Sequence, residues 1–304
     1  MTEIKKHSLK AWLLAARPKT LTGAAVPVII GSAFAYTDAQ ENIRFVPLLL
    51  CFLFAFIMQI DANFINDYFD FIKGNDDETR LGPERACAKG WIDASVMKKA
   101  MIYTTLLGGI VGLPLVFYGG WMTILVGVLC MIFAFLYTTS LSYRGLGDVL
   151  VLVFFGFIPV CMTYYLTMPS HLPQFSWEVI YAAFLCGLVI DNLLIVNNYR
   201  DIDNDRRVGK RTLIVRLGAE RGRDLYWATG ILIALSGFVF ILTHRTWAAI
   251  LPLLYVYLHL KTYHRMVKIN QGKELNLILS ETARNIFIYG LTLSAGLLLS
   301  FYLA

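Results

Sequence analysis

Two aspartate-rich segments carry the residue types and spacing that could do chemistry in this chain, and each follows a long apolar run. The first begins Asn66-Asp67-Tyr68-Phe69-Asp70, and the second begins Asn197-Asn198-Tyr199-Arg200-Asp201. They share the pattern Asn-(Asp/Asn)-Tyr-x-Asp and lie 131 positions apart. Carboxylates this close repel one another unless a cation lies between them. A divalent cation bound with a diphosphate would remove the repulsion, so the two segments favour an enzyme.

The spacing within each segment indicates which side chains act together. Residues four apart in a helix project from one face, and each segment contains such a pair: Asn66 with Asp70, and Asn197 with Asp201. Asp67 lies about 100° round the same helix and could serve a neighbouring part of the pocket. A turn at Gly74 would bring Asp76 back toward the membrane, because glycine adopts positive φ. In the second segment, Asp205 follows one turn further on. Ligands that are all oxygen atoms suit Mg²⁺, which binds carboxylates together with substrate phosphates.

Basic residues alternate with the acids in the loops that follow. They are Lys73, Arg80, Arg85 and Lys89 in the first loop, and Arg200, Arg206, Arg207, Lys210 and Arg211 in the second. Acids alone would repel a diphosphate, whereas acids that hold a metal beside Arg and Lys can bind it and stabilise it as it leaves. Most of these cations would serve equally well as determinants of membrane topology. Arg80, Lys210 and Arg211, which lie near the motifs, are predicted to bind substrate.

A third polar segment, from Tyr137 to Asp148, is short and aromatic, and Arg144 is its only basic residue. Arg144 could contact an anionic aromatic acceptor or the diphosphate, and Tyr137 could line the acceptor pocket. Tyrosines at the ends of spans are also common in the aromatic belts of membrane proteins. Both interpretations of the segment stay open at this point.

The elements that must position these residues are membrane-spanning helices. Hydrophobic residues make up 57% of the 304 positions, charged residues 16%, and the mean hydropathy is +0.60. A soluble domain carries nearer a quarter charged residues. Apolar runs of roughly 17–22 residues are long enough to cross a hydrocarbon core as helices. We predict an all-α polytopic membrane protein with nine spans, near 20–37, 46–66, 99–117, 120–137, 148–167, 178–198, 224–243, 246–262 and 285–303.

The basic residues predict how these spans are oriented. The N-terminal segment and the connections after spans 2, 4, 6 and 8 hold 25 of the 27 Lys and Arg residues, and the other side has only Arg44 and Arg245. Basic connections face the cytoplasm, so both acidic segments are expected on the cytoplasmic side of the inner membrane. The same bias accounts for the net charge of +6 without nucleic-acid binding. Nothing in the sequence indicates an obligate protein partner.

The chain is predicted to form a single membrane domain, 1–304, with two similar halves, about 20–137 and 148–303. Each half places its acidic motif at the cytoplasmic end of a span. A pseudo-symmetric bundle of this kind would bring the site between the halves, as in transporters with internal repeats. The loops 67–98 and 199–223 would form a cytoplasmic cap over it.

Two further carboxylates, Asp61 and Asp191, lie inside predicted spans, where a charge costs about 2.5–3.5 kcal/mol. They should face a polar cavity or pair within the bundle. Other chemistry finds little support, because the five cysteines and five histidines show no metal or redox spacing. The nucleophile elbow, the Walker loop and the dinucleotide-binding glycine motif are absent from the sequence.

At these residues the chain resembles the UbiA superfamily of intramembrane aromatic prenyltransferases, and within it the 1,4-dihydroxy-2-naphthoate polyprenyltransferases of menaquinone synthesis. The resemblance covers nearly the whole chain, including Arg17-Pro18-Lys19-Thr20 before the first span and Tyr143-Arg144-Gly145-Leu146-Gly147-Asp148. Arg80-Leu81-Gly82-Pro83-Glu84-Arg85 favours the naphthoate branch, since branches that act on 4-hydroxybenzoate or haem usually carry Arg-Thr-x-x-Arg-Pro there. Ala86-Cys87-Ala88 departs from the pattern, where bulkier or more polar residues are expected.

The resemblance implies a mechanism. Mg²⁺ would bind a polyprenyl diphosphate, held by Asp70, Asp76, Asp201 and Asp205 with help from Asn66 and Asn197. The substrate-binding residues would include Lys73, Arg80, Arg85, Tyr137, Tyr143, Lys210 and Arg211. The resemblance also implies that Arg144 is a catalytic residue and that Asp67 orients or deprotonates the acceptor phenol. The naphthoate ring would attack the allylic centre, with loss of CO₂ and a proton, and the prenyl tail would lie in an opening toward lipid.

Two alternatives remain at the level of sequence. One lies within the family: transfer to another acceptor, such as 4-hydroxybenzoate, or formation of a lipid ether. The other is a secondary transporter of a divalent cation or an anion, which the internal repeat and the carboxylates inside spans would support. Against a transporter, the side opposite the acidic motifs has almost no ionisable residues to complete a pathway.

Overall fold

A computed structural model describes residues 4–74, 80–172 and 176–303. Within these ranges every regular element is a helix. We number thirteen helical segments in chain order: α1 (Leu9–Ala16), α2 (Leu21–Asp38), α3 (Phe45–Ile72), α4 (Ala94–Gly119), α5 (Met122–Arg144), α6 (Gly147–Thr167), α7 (Trp177–Arg200), α8 (Ile202–Arg207), α9 (Leu213–Leu217), α10 (Ala219–Leu242), α11 (Thr246–Ile250), α12 (Leu253–Ile269) and α13 (Leu275–Tyr302).

The prediction of an all-helical, multi-span membrane protein is confirmed. In the part of the chain that the structure describes, eight segments are long and apolar enough to cross a membrane: α1 continued by α2, then α3, α4, α5, α6, α7, α10 and α13. The remaining predicted span, near 246–262, is divided between α11 and α12, and α12 has 17 residues. Pro252 lies between the two, where its missing N–H and its ring interrupt a continuous helix.

Helices α3 and α13 extend beyond their predicted limits toward the acidic motifs. Helix α3 runs through Asp70 to Ile72, and a turn with Gly74 at a φ of 70° follows it. Helix α13 begins at Leu275, ten positions before the predicted span. Its first turns include Asn276 and Arg284, which interrupt the apolar pattern on which the prediction depended.

The centre of the bundle is a buried apolar cluster contributed mainly by α2, α6, α7 and α13. Small residues allow these helices to approach closely, as is usual for helix pairs in membranes. A Cβ atom added to Gly156 of α6 would lie 2.6 Å from the carbonyl oxygen of Ala183 and 2.8 Å from the Cα of Gly187, both on α7. Backbone therefore touches backbone where α6 crosses α7, and this contact fixes the wall that carries the second motif.

An ion cluster stabilises the end of the bundle opposite the acidic motifs. Arg245 donates from Nη2 to Asp38 at 2.6 Å and from Nε to Glu178 at 2.8 Å. Tyr164 donates to the second oxygen of Asp38 at 2.8 Å, and the guanidinium lies 5.2 Å from the centre of the Phe34 ring. The charged side chains are only 12–18% exposed. The cluster joins the end of α2 to the beginning of α7 and the turn before α11.

We expect the substitution Arg245→Met to lower the free energy of unfolding by about 3 kcal/mol, because two nearly buried carboxylates lose their cation. The change would be measured as a lower midpoint of thermal unfolding in detergent. Arg44→Met is the matched control, since Arg44 is the other basic residue on this side and its backbone N–H, which bonds to Thr167 at 2.9 Å, is unaffected. Equal midpoints for the two variants would show that the cluster does not stabilise the bundle.

Candidate active site

A cavity of about 1480 Å³ opens beside the ends of α3 and α7 and continues between the helices. Most of its wall is apolar, including Phe54, Met58, Phe133, Phe154 and Met162. Polar side chains concentrate at the end where the two acidic motifs lie. A space of this size and lining suits a ligand with a long hydrocarbon part and a charged head.

The structure brings the two acidic motifs together at this cavity. Asn66 and Asp70 project from the last turns of α3, Asn197 from the last turn of α7 and Asp201 from the position that caps it, and all four side chains line the cavity. The spacing of four residues within each motif places both polar groups of a pair on the same helix face. Asp205, from the short helix α8, also lines the cavity.

Three of the predicted metal-binding carboxylates each contact a cation of the protein. Asp70 accepts a hydrogen bond from Arg85 at 2.9 Å, and Asp201 accepts one from the Nε of Arg200 at 2.8 Å. The Lys210 ammonium lies 3.5 Å from Asp205. The ranges that the structure describes contain no cluster of three or more His, Cys, Asp or Glu residues close enough to hold a metal ion as they stand. Asp76, the remaining predicted ligand, lies outside the described residues.

The donor set nevertheless fits a magnesium ion. The acidic end of the cavity offers only oxygen ligands from carboxylates and amides, which is the donor chemistry that Mg²⁺ prefers. Burial raises the pKa of the Asp205 carboxyl to about 6, and its Oδ2 atom is buried without a hydrogen-bond partner among the described residues. A divalent cation would satisfy that oxygen and hold the carboxylate ionised.

Asp67 does not line the cavity. It is 1% exposed, and its two oxygens accept hydrogen bonds of 2.9 Å from the backbone N–H groups of Ala86 and Cys87. The position of Asp67, about 100° round the helix from Asn66, directs it at the loop rather than into the cavity. The small residues at 86–88 that depart from the family pattern lie at this contact.

Two arginines of the first loop reach the cavity. Arg80 and Arg85 both line it, and Arg85 is held beside Asp70. The loop itself is fixed where Arg80 donates to the carbonyl of Pro83 at 3.0 Å and where Asn276 of α13 donates to the carbonyl of Leu81 at 2.8 Å. The polar beginning of α13 therefore positions the loop that carries these cations.

Other predicted site residues differ in where they lie. Tyr137, Tyr143 and Lys210 line the cavity. Lys73, Arg144 and Arg211 are exposed and do not line it. Lys73 instead donates to the carbonyl of Thr139 at 2.9 Å, with its ammonium 4.4 Å from the centre of the Tyr143 ring. The backbone N–H of Arg211 donates to the Tyr143 carbonyl at 2.9 Å.

Sequence reasoning gave no role to Arg17, which lines the cavity beside the acidic motifs. Its backbone has a φ of 52°, a conformation that residues other than glycine rarely adopt. Its Nη2 atom is buried and has no hydrogen-bond partner in the described ranges. Asn276 and Arg284 of α13 are further cavity residues that were missed. The signal for Arg17 was the Arg17-Pro18-Lys19-Thr20 element, whereas the polar positions of α13 gave none.

Comparison with known families decides the classification. Residues 24–302 match the model of the UbiA prenyltransferase family. The chain belongs to the UbiA prenyltransferase family. As a UbiA family protein it is similar to the 1,4-dihydroxy-2-naphthoate octaprenyltransferase of Escherichia coli (strain K12), with 38% identity over 81% of this chain and 82% of the relative. The enzyme of the same name from Haemophilus influenzae is 34% identical over 96% of this chain and 97% of the relative.

Solved structures share the fold of this UbiA family chain. A UbiA homologue from Archaeoglobus fulgidus bound to GPP and Mg²⁺ has a TM-score of 0.62 and 16% identity, over 94% of this chain and 99% of that one. A solved structure of a digeranylgeranylglyceryl phosphate synthase has a TM-score of 0.60 and 22% identity, over 95% of this chain and 98% of that one. At these identities the likeness shows the fold alone.

Proposed function

We propose that the protein transfers a polyprenyl group from a polyprenyl diphosphate to 1,4-dihydroxy-2-naphthoate, with loss of CO₂ and diphosphate, and so forms demethylmenaquinol. The observation that carries the proposal is the cavity itself, in which both acidic motifs meet at one end of a long apolar space. The relatives named as 1,4-dihydroxy-2-naphthoate octaprenyltransferases, at 34–38% identity, support this choice of acceptor.

The polar end of the cavity is proposed to bind the diphosphate. Asp70, Asp201 and Asp205, with Asn66 and Asn197, would hold Mg²⁺, and Asp76 would join them from outside the described residues. When bound, the metal supplies positive charge that stabilises the departing diphosphate. Arg80, Arg85 and Lys210 lie at the same end, and their hydrogen-bond donors would take up the negative charge that develops on the leaving oxygens.

The apolar length of the cavity is proposed to hold the prenyl tail. Residues such as Phe54, Met58, Phe154 and Met162 exclude water from it. Each CH₂ group removed from water contributes about 0.8 kcal/mol, so a long tail supplies much of the binding energy. Exclusion of water also protects the allylic centre from hydrolysis. The aromatic acceptor would enter at the polar end, beside Tyr137 and Tyr143.

Asp67, Lys73, Arg144 and Arg211 are proposed to act on the shape of the site and not on the substrate. Asp67 accepts hydrogen bonds from the backbone N–H groups of Ala86 and Cys87, and so fixes the loop segment that directly follows Arg85. Lys73 and the backbone of Arg211 contact the segment that carries Tyr143. The carbonyl of Arg144 accepts a hydrogen bond from Arg216 at 2.6 Å, which joins this segment to α9.

The protein is an integral membrane protein, and we propose that it lies in the cytoplasmic membrane with the acidic end toward the cytoplasm. The concentration of 25 of the 27 Lys and Arg residues on that side supports this orientation. Both substrates would then enter from the cytoplasmic side, with the prenyl tail drawn from the lipid.

The direct test combines purified protein, a polyprenyl diphosphate, dihydroxynaphthoate and Mg²⁺, followed by mass analysis of the lipid product. We expect a prenylated naphthoquinol that is lost on addition of EDTA and restored by Mg²⁺. 4-Hydroxybenzoate in place of the naphthoate is the matched control and should give little product. Product from 4-hydroxybenzoate alone would assign the chain to another acceptor, and turnover unaffected by EDTA would contradict the metal assignment.

A further inference from the structure

The two carboxylates inside spans have opposite environments. Asp61 of α3 is satisfied, because Thr104 and Thr105 of α4 donate to its two oxygens at 2.6 and 2.8 Å. Asp191 of α7 is 6% exposed, and its Oδ1 atom is buried with no hydrogen-bond partner among residues 4–74, 80–172 and 176–303. A carboxylate kept only for structure would have donors, as Asp61 does, so Asp191 requires another explanation.

A second carboxylate accompanies Asp191. Asp148, near the start of α6, also has a buried Oδ1 without a partner in the described ranges, and its charge is the one that acts on Asp191. The helices touch here, since a Cβ atom added to Gly147 would lie 3.2 Å from Leu194, less than one turn from Asp191. Asp191 is buried and Asp148 half-buried, and two carboxylates on touching helices repel one another when both are ionised and no cation lies between them. A proton shared between the two members would remove that repulsion.

Tyr137 connects this pair with the cavity. Its side chain lines the cavity wall, and the hydroxyl lies 3.9 Å from a Cβ position built on Gly147, the residue before Asp148. Four carboxylates, those of Asp148, Asp191, Asp70 and Asp205, lie near enough to act electrostatically on this buried side chain. The tyrosine thus lies at the cavity wall on one side and near the Asp148 end of the pair on the other. It also begins a π-helical turn in α5, a distortion that is frequent at functional sites.

We propose that Asp148 and Asp191 form a shared-proton pair that, through the hydroxyl of Tyr137, takes a phenolic proton from the aromatic acceptor and returns it after the prenyl group is attached. This inference rests on the proposed function. Because the carboxylates reach the acceptor only through Tyr137, they are positioning residues for the proton, and Tyr137 is the residue that touches the acceptor.

The proposed step balances without any further reactant. The acceptor O–H bond breaks as a Tyr137 O–H bond forms, and the original Tyr137 proton passes to the pair. The allylic C–O bond breaks with its electrons on the diphosphate, and a ring carbon forms the new C–C bond. The C–CO₂ bond then breaks, its electrons restore the aromatic ring, and the proton returns to the phenolate oxygen. Starting from the acceptor carboxylate, no net proton is consumed or released, so the pair needs no exchange of protons with bulk water.

The experiment compares Asp191→Asn, Asp148→Asn and Tyr137→Phe with Asp61→Asn, the matched buried carboxylate outside the site. We expect kcat with dihydroxynaphthoate to fall about 10²-fold in the first three, with the KM for the polyprenyl diphosphate unchanged. Asp61→Asn should keep its activity. A ring-fluorinated dihydroxynaphthoate, whose phenol ionises more easily, should recover at least about tenfold of the loss in the three variants. A structural defect would affect both acceptors equally.

The outcomes separate this inference from the proposed function. The midpoint of thermal unfolding, measured for every variant, identifies any that does not fold. If an aspartate variant does not fold, Tyr137→Phe still tests the proton pair, because it keeps the aromatic ring and removes only the hydroxyl. Equal losses with both acceptors, or full activity in the Tyr137 and Asp191 variants, would overturn the proton pair while the wild type still forms product. Failure of the proposed function itself would appear as a wild-type protein that makes no prenylated naphthoquinol, which would overturn both.

Discussion

The substitution Asp201→Asn is expected to reduce turnover about 10²–10³-fold, the loss typical for one charge-stabilising group, while the protein stays folded. Asn keeps an oxygen that can accept from Arg200, so the hydrogen bonds that hold the end of α7 largely survive. What disappears is the negative charge that the metal requires. Initial rates measured over a range of Mg²⁺ concentrations should therefore show a higher Mg²⁺ requirement as well as a lower maximum.

Asp203→Asn is the matched control for this prediction. Asp203 lies two positions further on, its side chain is 90% exposed, and its partner Arg206 is 3.7 Å away on the surface. Activity and Mg²⁺ requirement should both stay near those of the wild type. If the two variants had the same activity, Asp201 would have no role in binding the metal.

The substitution Asp67→Ala is expected to abolish most activity by a different route. It leaves the buried N–H groups of Ala86 and Cys87 without acceptors, at about 1–3 kcal/mol each. The loop that follows Arg85 then loses its attachment to α3. We expect a lower thermal midpoint and a higher KM for the polyprenyl diphosphate, because Arg85 is no longer held at the cavity.

Asp67→Asn distinguishes this role from acid–base catalysis. Its amide oxygen can accept one of the two hydrogen bonds, so it should recover part of the stability and part of the activity together. Glu84→Ala, an exposed change in the same loop whose partner is the exposed Lys89, should have little effect. Full stability combined with loss of activity in Asp67→Asn would instead favour the direct action on the acceptor that the family resemblance implies.

Much of the architecture follows from the pattern of apolar residues. The length of the apolar runs predicts the spans, and the repeated Asn-x-Tyr-x-Asp spacing predicts that the two motifs act together. The ends of α3 and α13 could not be predicted from the apolar pattern, because both helices continue through polar residues that line the cavity. Polar residues such as Asn276 and Arg284 lower the average hydropathy and so predict the end of a span, although in the structure they line an internal cavity.

The candidate site shows the same division. Spacing identified Asn66, Asp70, Asn197 and Asp201, since residues four apart share a helix face. It could not separate cations that reach the cavity, such as Arg85, from those that do not, such as Arg144. That difference depends on how loops fold back over the bundle. Nor could it show that Asp61 has two threonine donors whereas the Oδ1 of Asp191 has no partner among the described residues, because such partners come from helices distant in sequence.

In the three contacts with Arg85, Arg200 and Lys210, each site carboxylate already has a cation of the protein beside it before substrate arrives. A bare metal ion entering alone would strand a guanidinium without its counter-ion, and a bare diphosphate would face the carboxylates. If both enter together, every group that gives up a partner gains a new one. Under the proposed function, the site would therefore exchange these internal partners for magnesium and diphosphate that enter as a matched pair.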